Sequence, residues 1–155
     1  VHNIVGIKES SGDITFTSEL IRRNRDVDFK VFAGRDTVIY PSLALGGHGA
    51  VCSTANMFTE LVSSIYDKFV EGDFEGSLEA QFKLNPVRLS QDKSSFPAAT
   101  KDMSNLMGLD IGASIRPTYG AKGAILEDMR REMITAGLLT EEEQEELEER
   151  IDELT

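Results

Sequence analysis

Three short apolar runs separated by two helix-length stretches organise the first third of the chain. Residues 4–8, 29–33 and 49–53 read as strands, and residues 14–24 and 37–45 as helices between them. Strand–helix alternation with short connections implies parallel strands and right-handed crossovers. The first run, Ile4-Val5-Gly6-Ile7-Lys8, is apolar up to its lysine, which suits a strand covered on both faces. Alternation puts Ile4, Gly6 and Lys8 on one face and Val5 and Ile7 on the other. Gly6 leaves room on the lysine's own face. An amine held away from water favours its neutral form, and a neutral amine attacks a ketone to give a Schiff base. The plain alternative is a solvated lysine partnered by its neighbour Glu9.

Punctuation fits the same layout. Ser11-Gly12-Asp13 offers caps for the first helix, with Ile14, Phe16, Leu20 and Ile21 roughly on one face. Asp36 is expected to cap the second, with Pro41 in or just after its first turn and Gly46-Gly47 at its end. From Phe58 the pattern turns wholly helical. Residues 58–71 end at Gly72, and residues 74–90 carry Phe74, Leu78, Phe82 and Leu89 on or near one face, with Pro86 expected to bend them. Further helices are expected from Ser94–Pro97 to about Met107, closed by Gly108, and over 123–136, closed by Gly137; residues 109–121 read as a loop. Thr140-Glu141-Glu142-Glu143 has the form of a capping box opening an acidic helix.

The net charge of −11 argues against partnership with nucleic acid or an anionic membrane. Seven of the 27 acidic residues fall within residues 141–149, so the charge says little about any active surface. The tail lacks calcium-loop spacing, and no cluster of His, Cys, Asp and Glu has metal-ligand spacing, so neither metal nor cofactor is expected. A single cysteine, Cys52, favours a reducing, cytoplasmic setting and reads as a small core residue rather than a nucleophile. No apolar run approaches the ~20 residues of a membrane helix. The start, Val1-His2-Asn3, has no basic leader and no methionine, which leads us to expect a chain cut from something longer.

Several runs resemble one family. Gly6-Ile7-Lys8-Glu9-Ser10-Ser11-Gly12-Asp13 is similar to the Schiff-base lysine segment of the dihydrodipicolinate synthase / N-acetylneuraminate lyase family. Phe32-Ala33-Gly34-Arg35-Asp36 looks like the next strand and its loop, and the run from Leu45 through Val51 to Asn56 like the last barrel strand. Phe96-Pro97-Ala98-Ala99-Thr100-Lys101, Gly108-Leu109 and Ala136-Gly137-Leu138-Leu139 resemble the family's C-terminal helical region.

The resemblance implies an α/β fold: the C-terminal portion of a (β/α)8 TIM barrel, with three parallel strands and their helices, then a C-terminal helical region. Residues 1–57 would hold barrel strands six to eight, residues 58–139 the last barrel helix and the C-terminal helices, and residues 140–155 the acidic tail. It implies a class I aldolase or lyase acting on pyruvate or another 2-keto acid, foremost a dihydrodipicolinate synthase of lysine biosynthesis. Alternatives are an N-acetylneuraminate lyase, a 2-keto-3-deoxy-sugar-acid aldolase, or a non-catalytic half-barrel.

Lys8 would be catalytic. Gly34 would leave space for substrate, serve as a turn glycine, or do both; Val51 would offer a backbone carbonyl beside the lysine, or serve only as a core valine. Where sialic acid lyases carry Asp-Glu, this chain has Asp36-Thr37, which weakens the lyase alternative; Asp36 reads equally well as only a cap. His48 precedes the last strand and reads as structural. The family's threonine-rich carboxylate loop and proton-relay tyrosines belong to the half not represented here, so the chain alone is expected to be inactive. Its expected partners are a 2-keto acid and either further copies of itself or the missing barrel half.

Overall fold

The structure, a computed structural model, describes residues 2–140, 142 and 143. The chain divides into two compact units, Val1–Ala55 with Thr59–Asn85, and Asn56–Phe58 with Pro86–Thr155.

The first unit holds the strand–helix alternation. β1 (Gly6–Glu9) leads to α1 (Ile14–Asn24), β2 (Lys30–Ala33) and, after a 3-10 turn at Asp36–Val38, α2 (Ile39–Ala44). β1 and β2 are parallel, in the register Gly6 with Lys30 through Glu9 with Ala33. The expected third strand over 49–53 contracts to a single parallel bridge, Ala33 with Ala50, and the chain then enters a 3-10 turn at Ser53–Asn56. Gly49 C=O accepts from Ala33 N–H at 2.9 Å and Val51 N–H donates to Ala33 C=O at 2.8 Å, so the segment still runs beside β2. A strand needs a ladder to propagate, and β2 is the segment's one neighbour in the sheet among the described residues.

The expected two-sided cover of the first strand is also not met. Ile4 and Val5 are 58% and 66% exposed and lie before β1, and Ile7 is exposed as well. The sheet order is β1–β2, so among the described residues β1 has a strand on one side only. Lys30 N–H donates to Val5 C=O at 2.9 Å and Gly34 N–H to Glu9 C=O at 2.6 Å. Main-chain groups of alternate strand residues point the same way, so Val5, Ile7 and Glu9 serve β2 while Gly6 and Lys8 serve the open edge. Gly6 matters for a different reason than room beside the lysine. A Cβ there would stand 2.6 Å from Lys30 C=O, so glycine is what allows the two strands to approach.

α2 packs on α3 (Thr59–Glu71), with Ile39, Leu43, Val62 and Ile65 buried and the Tyr40 ring edge-on to Phe69 at 5.8 Å. α2 stops at the expected glycines. Gly46, at φ +98°, donates to Leu43 C=O at 2.9 Å and Gly47 to Ser42 C=O at 2.8 Å, the paired bonds of a Schellman end. Gly72, Gly108 and Gly137 close later helices with the same bonding.

α4 (Phe74–Gln91) runs through Pro86 and buries a different face from the one its apolar residues suggested. Phe74, Phe82 and Leu89 are exposed, whereas Ser77, Ala80, Gln81 and Leu84 are buried. The buried polar groups are satisfied: Ser77 Oγ donates to Ile65 C=O at 2.6 Å, and Gln81 Nε2 to Asp36 C=O at 2.9 Å. Gln81 Oε1 accepts from Tyr40 N–H at 2.9 Å. Hydrogen bonds to main-chain partners make the polar face the inward one.

In the second unit α5 (Ala98–Leu106) packs on α6 (Ala124–Thr135), with Met103, Met129 and Met133 fully buried. The main-chain groups of the intervening loop over 109–121 take side-chain partners from α5. Asn105 Oδ1 accepts from Ile111 N–H at 2.9 Å, Lys101 Nζ donates to Ala113 C=O at 2.9 Å, and Asp102 Oδ2 accepts from Ala121 N–H at 2.6 Å. The capping box at Thr140 forms: Thr140 N–H donates to Glu143 Oε2 at 2.8 Å and Glu143 N–H to Thr140 Oγ1 at 3.1 Å. Beyond Glu143 the expected acidic helix lies outside the described residues. No described helix is long and apolar enough to cross a membrane.

Candidate active site

Lys8 stands one residue before the end of β1, opposite Phe32 of β2. The turn that follows is locally built. Asp13 Oδ1 accepts from Thr15 and Phe16 N–H at 2.8 and 3.1 Å, so Asp13 is the cap of α1 among the three residues offered for that role. Glu9 points to the face opposite Lys8 and is buried. Ser11 N–H donates to Glu9 Oε1 at 2.7 Å and Thr17 Oγ1 to Glu9 Oε2 at 3.1 Å. Burial alone would raise this carboxyl, but hydrogen bonds from the Ser11 hydroxyl and N–H and from Thr17 outweigh it and hold Glu9 below the usual carboxylate range. Glu9 thus latches the end of β1 to α1 and is not an ion-pair partner placed beside Lys8.

Gly34 follows β2 and touches the Lys8 stem. A Cβ at Gly34 would lie 2.9 Å from Lys8 Cε and 2.7 Å from Glu9 C=O, and would run into Ser10 Oγ. Its backbone is not among those with positive φ, so a left-handed turn is not what requires glycine here. Glycine is required because the lysine and the end of β1 pass directly over it.

Val51 is held to β2 by the 2.8 Å bond from its N–H to Ala33 C=O. Its side chain is 50% exposed, which overturns the core-valine alternative. The next residue, Cys52, lies within electrostatic reach of Lys8. Its thiol is pushed up to about 11, first by burial and then by the Asp36 carboxylate, with hydrogen bonds from Thr54 and Ala55 and the Lys8 charge opposing. A thiol so shifted is protonated at neutral pH and is a poor nucleophile. Of the residues named from sequence, Gly34 is brought against Lys8, and Val51 lies beside the end of β2 through its bond to Ala33.

The expected cap at Asp36 is a correction. The residue flanking the 3-10 turn is Arg35, with no side-chain cap, and Asp36 is buried. Asp36 Oδ1 accepts from Thr54 N–H at 2.9 Å and from Thr54 Oγ1. The carboxylate ties the loop after β2 to the segment after Val51, 18 residues away, and no sequence signal joins the two. His48 lies toward the other end of β2: its N–H donates to Val31 C=O at 2.8 Å and its Nδ1 accepts from Val31 N–H at 3.2 Å.

The expected dry confinement of Lys8 is not met in this chain. Lys8 is exposed, because it sits on the strand whose outer edge has no neighbour among the described residues.

Fold and site together define a class: an α/β chain of parallel strands with a lysine at the carboxyl end of one strand, packed across a glycine from the next. The model of the Dihydrodipicolinate synthetase family matches residues 1–136, and the chain belongs to that family. A 4-hydroxy-tetrahydrodipicolinate synthase of Thermoanaerobacter sp. strain X514 is 32% identical over 141 residues, 91% of this chain and 47% of the relative. One from Archaeoglobus fulgidus is 38% identical over 112 residues, 72% of this chain and 38% of its own. Among solved structures, a DHDPS from Cyanidioschyzon merolae with lysine bound matches with TM-score 0.80 and 27% identity, over 89% of this chain and 46% of that one. A dihydrodipicolinate synthase from Thermotoga maritima matches with TM-score 0.82 and 28% identity, over 89% and 48%. The chain spans about half the length of the relatives it matches.

Proposed function

We propose that this chain carries the Schiff-base lysine of a dihydrodipicolinate synthase-like class I aldolase, as barrel strands six to eight with the C-terminal helices. The observation that carries the reading is Lys8 at the carboxyl end of β1 with its stem across Gly34, the end of a parallel strand at which barrel enzymes keep their chemistry. The Lys8 nitrogen adds to the keto carbon of pyruvate or a related 2-keto acid. The adduct takes up a proton from solvent and loses water, and the resulting protonated imine is an electron sink. Loss of a proton from the adjacent carbon gives an enamine, which adds to an aldehyde; the reverse sequence cleaves the aldol. No metal enters these steps. Val51 C=O is proposed to face the imine.

The exposed Lys8 bears on activity. The enclosing surface that a reactive amine needs is proposed to come from the other barrel half, which would pair with the open edge of β1 through Gly6 and Lys8. The 155-residue chain alone is then inactive. Burial of Asp36 against Thr54 weighs against a lyase in which that carboxylate contacts a sugar.

Borohydride reduction with pyruvate, read by mass spectrometry, tests the proposal. The chain is assayed alone and mixed with the separately purified first half of the Thermotoga maritima relative. One reduced pyruvyl group on Lys8 in the mixture, lost in Lys8→Ala, is expected. Robust turnover by the chain alone would refute the incomplete-site reading. Absence of any adduct in a mixture that demonstrably associates would favour a non-catalytic assembly unit.

A further inference from the structure

A cavity of about 560 Å³ lies within the first unit at the amino end of β2, about 10 Å along the strand from the end that carries Gly34. Its walls are chemically two-sided. Ile21, Val27, Phe29 and Leu45 supply apolar surface, and Arg22, Arg25 and Lys30 supply cations. No acidic residue lines it, in a chain with 27 acidic residues against 16 basic ones. Val27, 62% exposed, and Leu45 remain in water although both line the cavity.

The three cations are not equivalent. Arg22 is held by Glu19 through two bonds of 2.8 Å and is committed there. Arg25 meets Asp26 at 3.6 Å and Lys30 meets Asp28 at 2.8 Å, with those two carboxylates 90% and 88% exposed. Pairs standing in open water exchange partners readily. His48 adds a donor: its Nδ1 accepts from Val31 N–H, which assigns the remaining proton to Nε2.

We infer that this cavity binds a small monocarboxylate with a ring-sized apolar body, its carboxylate at Arg25 and Lys30 and its body on Val27, Phe29 and Leu45. The volume falls in the range of small-molecule sites, about 300–1,000 Å³. An inorganic anion would leave the apolar wall wet, and a neutral ring would leave the cations without a new partner. The site is separate from the Lys8 end of the strand and does not depend on the activity proposed there.

The test is titration of the isotope-labelled full chain, followed by amide NMR, with benzoate, benzyl alcohol and inorganic phosphate. Benzoate is expected to produce saturable shifts at Val27, Lys30, Leu45 and His48. Benzyl alcohol and phosphate should each bind at least about tenfold more weakly, a difference well within reach of one lost ionic or apolar contribution. The pair Arg25→Glu with Lys30→Glu should weaken benzoate by about tenfold or more, and Val27→Ser, an exposed change that leaves folding alone, by a few-fold. Shifts that do not saturate, shifts centred elsewhere, phosphate binding equal to benzoate, or benzoate binding unmoved by Val27→Ser and by a folded charge-reversed variant would each overturn the assignment. If the charge-reversed protein does not fold, Val27→Ser and the three-probe comparison decide.

Discussion

Replacing Gly34 by alanine tests the packing of the candidate site while leaving Lys8 itself unsubstituted. The new Cβ meets three groups of different stiffness. Ser10 Oγ can rotate away, and Lys8 Cε, 2.9 Å distant, belongs to a flexible stem. Glu9 C=O, 2.7 Å distant, cannot move without breaking its 2.6 Å bond from Gly34 N–H. Forcing a methyl into such a contact costs about 1–3 kcal/mol, and loss of the strand-end hydrogen bond adds about 1 kcal/mol. The expected destabilisation is therefore about 2–4 kcal/mol. With a urea m-value of about 2 kcal/mol/M, the midpoint should fall by about 1–2 M. Tyrosine fluorescence reports on the right unit, because the chain has no tryptophan and two of its three tyrosines, Tyr40 and Tyr66, lie in α2 and α3. Adding Ser10→Ala should recover less than half the loss, since the carbonyl remains. A midpoint within about 0.2 M of the parent would mean that the lysine and the strand end do not pass over Gly34 as described, and the argument for that glycine would fail.

Ile65→Ala, at a fully buried position in α3, should cost about 2–5 kcal/mol in the same assay. Glu9 is held below its ordinary value of 4.5, so its contribution is present above that pH and is lost as pH falls through its lower folded value. Glu9→Gln should therefore lower stability at pH 7, and the difference from the parent should shrink as the medium is acidified below pH 4.5; a gap independent of pH would refute the latch. Cys52, pushed up to about 11, should react with iodoacetamide at pH 8 on the order of a hundredfold more slowly than a free thiol, and faster in Asp36→Asn, because the carboxylate contributes to the shift.

What could be read from the sequence was local. α1 spans the expected 14–24, and Gly46, Gly72, Gly108 and Gly137 end their helices where expected, because caps and left-handed glycines act within a turn or two of the chain. The approach of Gly34 to Lys8 was legible only through the family resemblance, since nothing local in the sequence joins the two. What failed depended on distant partners. Residues 49–53 had the composition of a strand but, among the described residues, one flank to pair with, and α4 turned its serine and glutamine inward because Ile65 and Asp36 offer carbonyls there. The bond from Thr54 to Asp36 joins residues whose types gave no reason to pair them. Lys8 is exposed because cover for a strand edge is a property of neighbours rather than of the strand itself.

The parity of β1 gives the chain a reporter of its own completion. Because Gly6 and Lys8 direct their main-chain groups outward, any strand that extends the sheet on that side must hydrogen-bond to the backbone of the same residue whose amine is proposed to do the chemistry. Slowed solvent exchange at the Lys8 amide would register that docking before a single substrate molecule is turned over, and would separate assembly of the enclosure from reactivity inside it.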